Sequence, residues 1–159
     1  MAVNSISSTA GNGFVGNSIS VTGNASVVGG MINSHGTIGS ISNTTFSGNT
    51  VTSANGNISG GTISNLGTIT GDLTNLTFNG NTIASTNGNV QGAALYNTGF
   101  INGKIINSTF TNNTARTTSG QAQGGAIYTT TDLYISGNNG TTTFQNNFVI
   151  LESCSPIIT

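Results

Sequence analysis

LTFNGNT, at Leu76–Thr82, sets an asparagine three residues after a phenylalanine. The unit also stands at GNGFVGNS (Gly11–Ser18), TTFSGNT (Thr44–Thr50) and STFTNNT (Ser108–Thr114), and again at Phe144 and Asn147. Successive phenylalanines, Phe14, Phe46, Phe78, Phe110 and Phe144, lie 32, 32, 32 and 34 residues apart. A spacing held along a whole chain marks a repeat architecture rather than biased composition.

Aligned on that period, the sequence resolves into columns. Asn17, Asn49, Asn81, Asn113 and Asn147 form one, and Asn43, Asn75 and Asn107 another, three residues before the phenylalanine. Thr45, Thr77, Thr109 and Thr143 directly precede it. A second landmark keeps the same beat: GGMI, GGTI, GAAL and GGAI end at Ile32, Ile63, Leu95 and Ile127. Between landmarks the apolar residues alternate in short bursts, as in TISNLGTIT (Thr62–Thr70) and GKIINSTF (Gly103–Phe110). Alternation is strand periodicity, and the Gly and Asn between bursts are turn residues.

The expected fold is therefore all-β. It is a single-domain parallel β-helix (a β-solenoid) over residues 1–159, with about five coils of ~32 residues and three short strands in each. Successive coils stack about 4.8 Å apart, so each column becomes a ladder. The phenylalanines point inward as a core ladder. The Asn17 column passes amide hydrogen bonds from coil to coil at a corner, as stacked asparagines do in cross-β structures.

Composition excludes several functions. Only 3% of residues are charged and the net charge is −1, which leaves no basic field for nucleic acid. No apolar run approaches the roughly 20 residues of a membrane-spanning helix. The N-terminal MAVNSISSTAG has neither the basic nor the apolar segment of a secretory signal. His35 is the single histidine, and the carboxylates Asp72, Asp132 and Glu152 fall in different columns. No catalytic set, metal cluster or cofactor site is expected, and an enzyme is not. Asp72 and Lys104 share a column and are expected to form a cross-coil ion pair. Tyr96 and Tyr128 share another and are expected to stack outward. Cys154, alone in the chain, is expected to be a small buried residue. Ice binding would need two adjacent threonine ranks, and one is evident.

The GGAIY (Gly124–Tyr128) and STFTNNTA (Ser108–Ala115) motifs together resemble the repeats of polymorphic outer-membrane proteins, autotransporter-like surface proteins and adhesins. The resemblance extends over residues 14–150. It implies a right-handed parallel β-helix exposed at the cell surface or outside the cell, with adhesive or structural roles.

Two functions compete. The first is a structural subunit that stacks head-to-tail into a filament, since both ends fall at nearly the same phase of the repeat and neither reads as a polar cap. Its interface would use Ala2, Val3, Ile6, Ile150, Ile157 and Ile158, with residues 151–159 at the stacking end and a second copy as partner. The second is a fragment of an adhesin passenger that binds a cell-surface or glycan receptor.

Overall fold

The computed structural model describes residues 2–3, 6–7, 13–136 and 141–152. Every strand pairing is parallel to a strand one coil away. The offset is 32 residues through the middle of the stack, as in Phe46↔Phe78↔Phe110. The result is a β-solenoid in which each column of the sequence is a ladder of stacked residues.

The central coil shows the plan. Its strands are Ile63–Asn65, Thr68–Ile69, Leu73–Thr74, Thr77–Asn79, Thr82–Ser85 and Val90–Gln91. There are six short strands per coil rather than three, because each expected burst bends once within its length. The burst into Phe78 breaks at Asn75, where φ is 55°. TISNLGTIT breaks at Leu66 and Gly67, and the burst after Asn81 breaks at the Thr86–Asn89 turn. Six parallel sheets result, three of four strands and three of five, giving about four turns rather than five. Five phenylalanine anchors bound only four repeats.

Three left-handed corners per coil set the shape. One falls on Asn43, Asn75 and Asn107, at φ of 52°, 55° and 48°. One falls on Gly16, Gly48 and Gly80, continued by Asn112 and Asn146. The third falls on Gly29, Gly60, Gly92 and Gly124, the first residue of the small-pair landmark. Glycine occupies this region without strain, and asparagine tolerates it better than other side chains do. The landmark's second residue is small for a different reason. A Cβ at Gly61 would overlap the Ala93 carbonyl of the next coil and sit 2.7 Å from the Ile83 side chain.

The core runs along the axis in two clusters. One gathers Phe46, Phe78 and Phe110 with Ile41, Ile63, Leu73, Leu95 and Ile105. The other gathers Val51, Ile58, Ile83, Val90 and Ala115. Alternation within strands sends threonine, serine and asparagine outward, so the wall of the rod is polar and almost uncharged.

Candidate functional surfaces

The phenylalanine column is a continuous stack. Ring centroids lie 5.2, 4.9, 4.7 and 4.7 Å apart from Phe14 to Phe144, with interplanar angles no greater than 12°. Phe46, Phe78 and Phe110 are fully buried, whereas Phe144 is 44% exposed because no described coil lies beyond it. Parallel strands one coil apart leave the rings no room for an edge-on arrangement, so they stack.

Asn17, Asn49, Asn81, Asn113 and Asn147 form the second ladder, inside the wall. Asn81 shows its pattern. Its backbone N–H and its Nδ2 both donate to Asn113 Oδ1, at 3.1 and 2.9 Å. Its Nδ2 also donates back to the Phe46 carbonyl at 2.9 Å. Its Oδ1 accepts from the backbone and side chain of Asn49, at 3.2 and 2.9 Å. The column was expected at the corner itself. The left-handed residue is instead the one before it, Gly48 or Gly80, and the asparagine turns inward behind it. Asn49, Asn81 and Asn113 are buried, and the ladder satisfies polar groups that no water reaches.

Sequence reasoning missed a shorter buried ladder. Asn65 Nδ2 donates to Asn97 Oδ1 at 2.7 Å, and Asn97 Nδ2 donates to the hydroxyls of Thr129 and Thr131. The column is Ser34, Asn65, Asn97, Thr129, and its mixed chemistry hid it. Asn65 Oδ1 is left without a donor, since the Ser34 hydroxyl faces the Gly36 carbonyl. Exposed asparagines also stack, as Asn107 to Asn75 to Asn43 and as Asn87 to Asn55 to Asn24.

The charged pairing differs from expectation. Asp72 and Lys104 are in adjacent coils and in register, but Asp72 Oδ1 accepts the backbone N–H of Lys104 at 2.8 Å. The ammonium makes no ion pair with it, because the parallel ladder already brings the nearer amide to the carboxylate. Among the described residues the ion pair is Arg116 with Glu152, at 3.4 Å on the surface. Tyr96 and Tyr128 stack at 5.4 Å, half-buried on the outer wall. A second outward threonine rank, Thr50, Thr82 and Thr114, lies on the sheet beyond the phenylalanine sheet. It sits across a left-handed corner from the first.

The residues expected at the subunit interface sit on opposite edges. Ala2–Val3 pairs with Thr37–Ile38, and Ile6–Ser7 pairs with Ile41–Ser42, at the first edge. Ile150 lies in Phe148–Leu151 at the last edge, a strand exposed along its length. Ile157, Ile158 and Cys154 lie outside the described residues. No group of three or more His, Cys, Asp or Glu side chains is placed to hold a metal among the described residues. Nor is any described helix long and apolar enough to cross a membrane.

Residues 107–130 match the family model of the Chlamydia polymorphic membrane protein repeat. They run from the Asn107 corner through Phe110 and Asn113 to the GGAIY landmark. No curated protein and no solved structure gives a significant match to the chain.

Proposed function

We propose that the chain is a non-enzymatic β-solenoid rod of a surface-exposed, autotransporter-like passenger, which holds its outer wall away from the membrane for contact with other cells. The observation that carries this reading is the position of the repeat match. Residues 107–130 occupy one stretch of coil whose strands pair residue for residue with the coil before. The other coils thus share the architecture of the matched one. The wall carries polar, short side chains with few groups suited to acid–base chemistry, which suits a scaffold better than a catalyst. The test is display. The chain, tagged at its N-terminus and joined to a secretion signal and a barrel translocator in a Gram-negative host, is expected to expose the tag to antibody on intact cells. Retention inside the cell, with the same translocator exporting a known passenger, would overturn the reading.

One observation favours a filament as a second reading. The Asn17 Oδ1 accepts no hydrogen bond among the described residues, and the Asn147 backbone N–H donates none. Within the stack these are the two groups that join, as Asn113 N–H to Asn147 Oδ1 at 3.1 Å. The two ends of the ladder are complementary, so a second copy could extend it head-to-tail. Purified chain would then show fibres by electron microscopy and scattering that grows with concentration. A monomer at every concentration, with empty grids, removes this reading and leaves the first untouched.

A further inference from the structure

The 32-residue beat shortens by two between Asn97 and Lys104, on the outer wall. Asn97 pairs with Thr129, but Lys104 pairs with Tyr134, so eight residues in one coil (97 to 104) face six in the next (129 to 134). The sheet of Ala2–Val3, Thr37–Ile38, Thr68–Ile69 and Phe100–Ile101 has no further strand above Phe100, where the shortened segment turns instead. That turn is firmly held: the Thr131 hydroxyl donates to the Gly99 carbonyl at 2.7 Å and accepts from Asn97 Nδ2 at 2.8 Å. A notch of about 290 Å³ opens beside it, lined by Phe100, Ile101, Asn102, Thr131, Asp132 and Tyr134.

The lining departs from the rest of the wall. Phe100 stands where the two preceding coils carry Thr37 and Thr68, and it is 63% exposed. Tyr134 faces outward at 61% exposure. The Asp132 carboxylate, the Asn102 amide and the Tyr134 hydroxyl make no hydrogen bond among the described residues. The notch thus pairs two flat apolar ring faces with a free acceptor and free donors.

We propose that this notch binds a pyranose ring of a surface glycan. The contiguous C–H face of a sugar would lie on Phe100 or Tyr134, and its hydroxyls would donate to Asp132 and pair with the Asn102 amide. A cationic peptide side chain fits less well. Lys104 lies directly beneath Tyr134 in the same outward column, so a second positive charge there would be opposed. The inference deepens the surface-rod reading by naming a partner class. It relies on that reading only for access to glycans, because binding by purified chain is measured without display.

The experiment is amide shift mapping of the intact, isotope-labelled chain. The probes are the methyl β-glycosides of glucose, galactose and N-acetylglucosamine, with trilysine as the cationic probe. Saturable shifts are expected with at least one glycoside, confined to residues 100–102 and 131–134. They should vanish in Phe100→Thr, which restores the column's own residue and should leave the melting temperature unchanged, and should weaken at least tenfold in Asp132→Ala. No saturable shift with any glycoside overturns the proposal, as do shifts unaltered by Phe100→Thr. Shifts with trilysine alone also overturn it and assign the notch to a basic protein segment.

Discussion

Asparagine ladders run both inside and outside this rod, and comparing the buried one through Asn81 with the exposed one through Asn75 tests whether the inner one holds the fold together. Asn81→Ala removes the side chain at the middle of the inner ladder. The Asn49 backbone N–H and one Asn49 Nδ2 proton lose their acceptor, and the Phe46 carbonyl loses a donor. Asn113 Oδ1 keeps the backbone N–H of residue 81. The Phe46 carbonyl keeps its ladder partner, so two buried N–H groups are left without an acceptor. At about 1–2 kcal/mol each, the loss is roughly 2–4 kcal/mol; the lower half of the usual range applies because alanine leaves room for a water. Asn75→Gly removes the same type of residue from the outer ladder, along with its bonds to Asn43 and Asn107, at 2.9 and 2.7 Å. Water replaces those bonds, and glycine accepts the φ of 55° at that corner without strain. The expected loss is under about 1 kcal/mol. Guanidinium denaturation followed by circular dichroism, with both variants fitted at a common slope, reads the difference. Equal losses, or a larger one for Asn75→Gly, would refute the claim that burial makes the inner ladder structural.

Other expectations follow from the same geometry. Phe78→Ala should cost about 3–5 kcal/mol by opening a cavity between Phe46 and Phe110, whereas Thr77→Ala, directed outward beside it, should cost less than about 1 kcal/mol; similar thermal melts would mean that the inward and outward faces are misassigned. Asn81→Asp should be less stable at pH 7 than at pH 3, because a protonated carboxyl can still donate one hydrogen bond to the Phe46 carbonyl while a carboxylate only accepts and carries buried charge. That slope should be absent from the parent chain and is checked by melting both at the two pH values. Glu152→Gln should shift stability by less than about 1 kcal/mol, since its pair with Arg116 is about half exposed on each side; melting in high salt should likewise leave the parent chain nearly unchanged. Gly61→Ala should destabilise strongly, because the new methyl has only the Ala93 carbonyl and Ile83 to meet; an unchanged melt would show that the coils can part there.

What could be read from the residues was whatever repeats with one chemistry. Phe14 to Phe144 and Asn17 to Asn147 announce themselves because each coil needs the same side chain at the same height, and a stack enforces that identity. The strand count could not be read in the same way. In a burst such as Leu73–Asn79 the alternation slips by one residue between Leu73 and Leu76, and the left-handed φ at Asn75 divides it there into two strands. Asparagine in a strand pattern gives no sign of which backbone region it occupies. The Asn65–Asn97 ladder escaped notice because serine and threonine replace asparagine at its two ends. Lys104 and Asp72 were correctly placed in one column, but a column fixes backbone proximity, and the amide reached the carboxylate before the ammonium did.

The same reasoning separates what the fold constrains from what it leaves open. Inward columns and left-handed corners are bound by stacking, so a change there propagates to the coils on both sides. Outward columns meet only water and their own neighbours, and threonine, serine, asparagine or tyrosine serve there equally well. If the rod binds as proposed, its specificity would come from positions where the repeat is broken. The clearest break among the described residues is the shortened turn at Thr130–Leu133, where Phe100 replaces the threonine of the coils below and Tyr134 rises beside it. Two residues missing from this segment of the coil cost the stack one short strand. They also leave two exposed rings, Phe100 and Tyr134, beside the shortened turn.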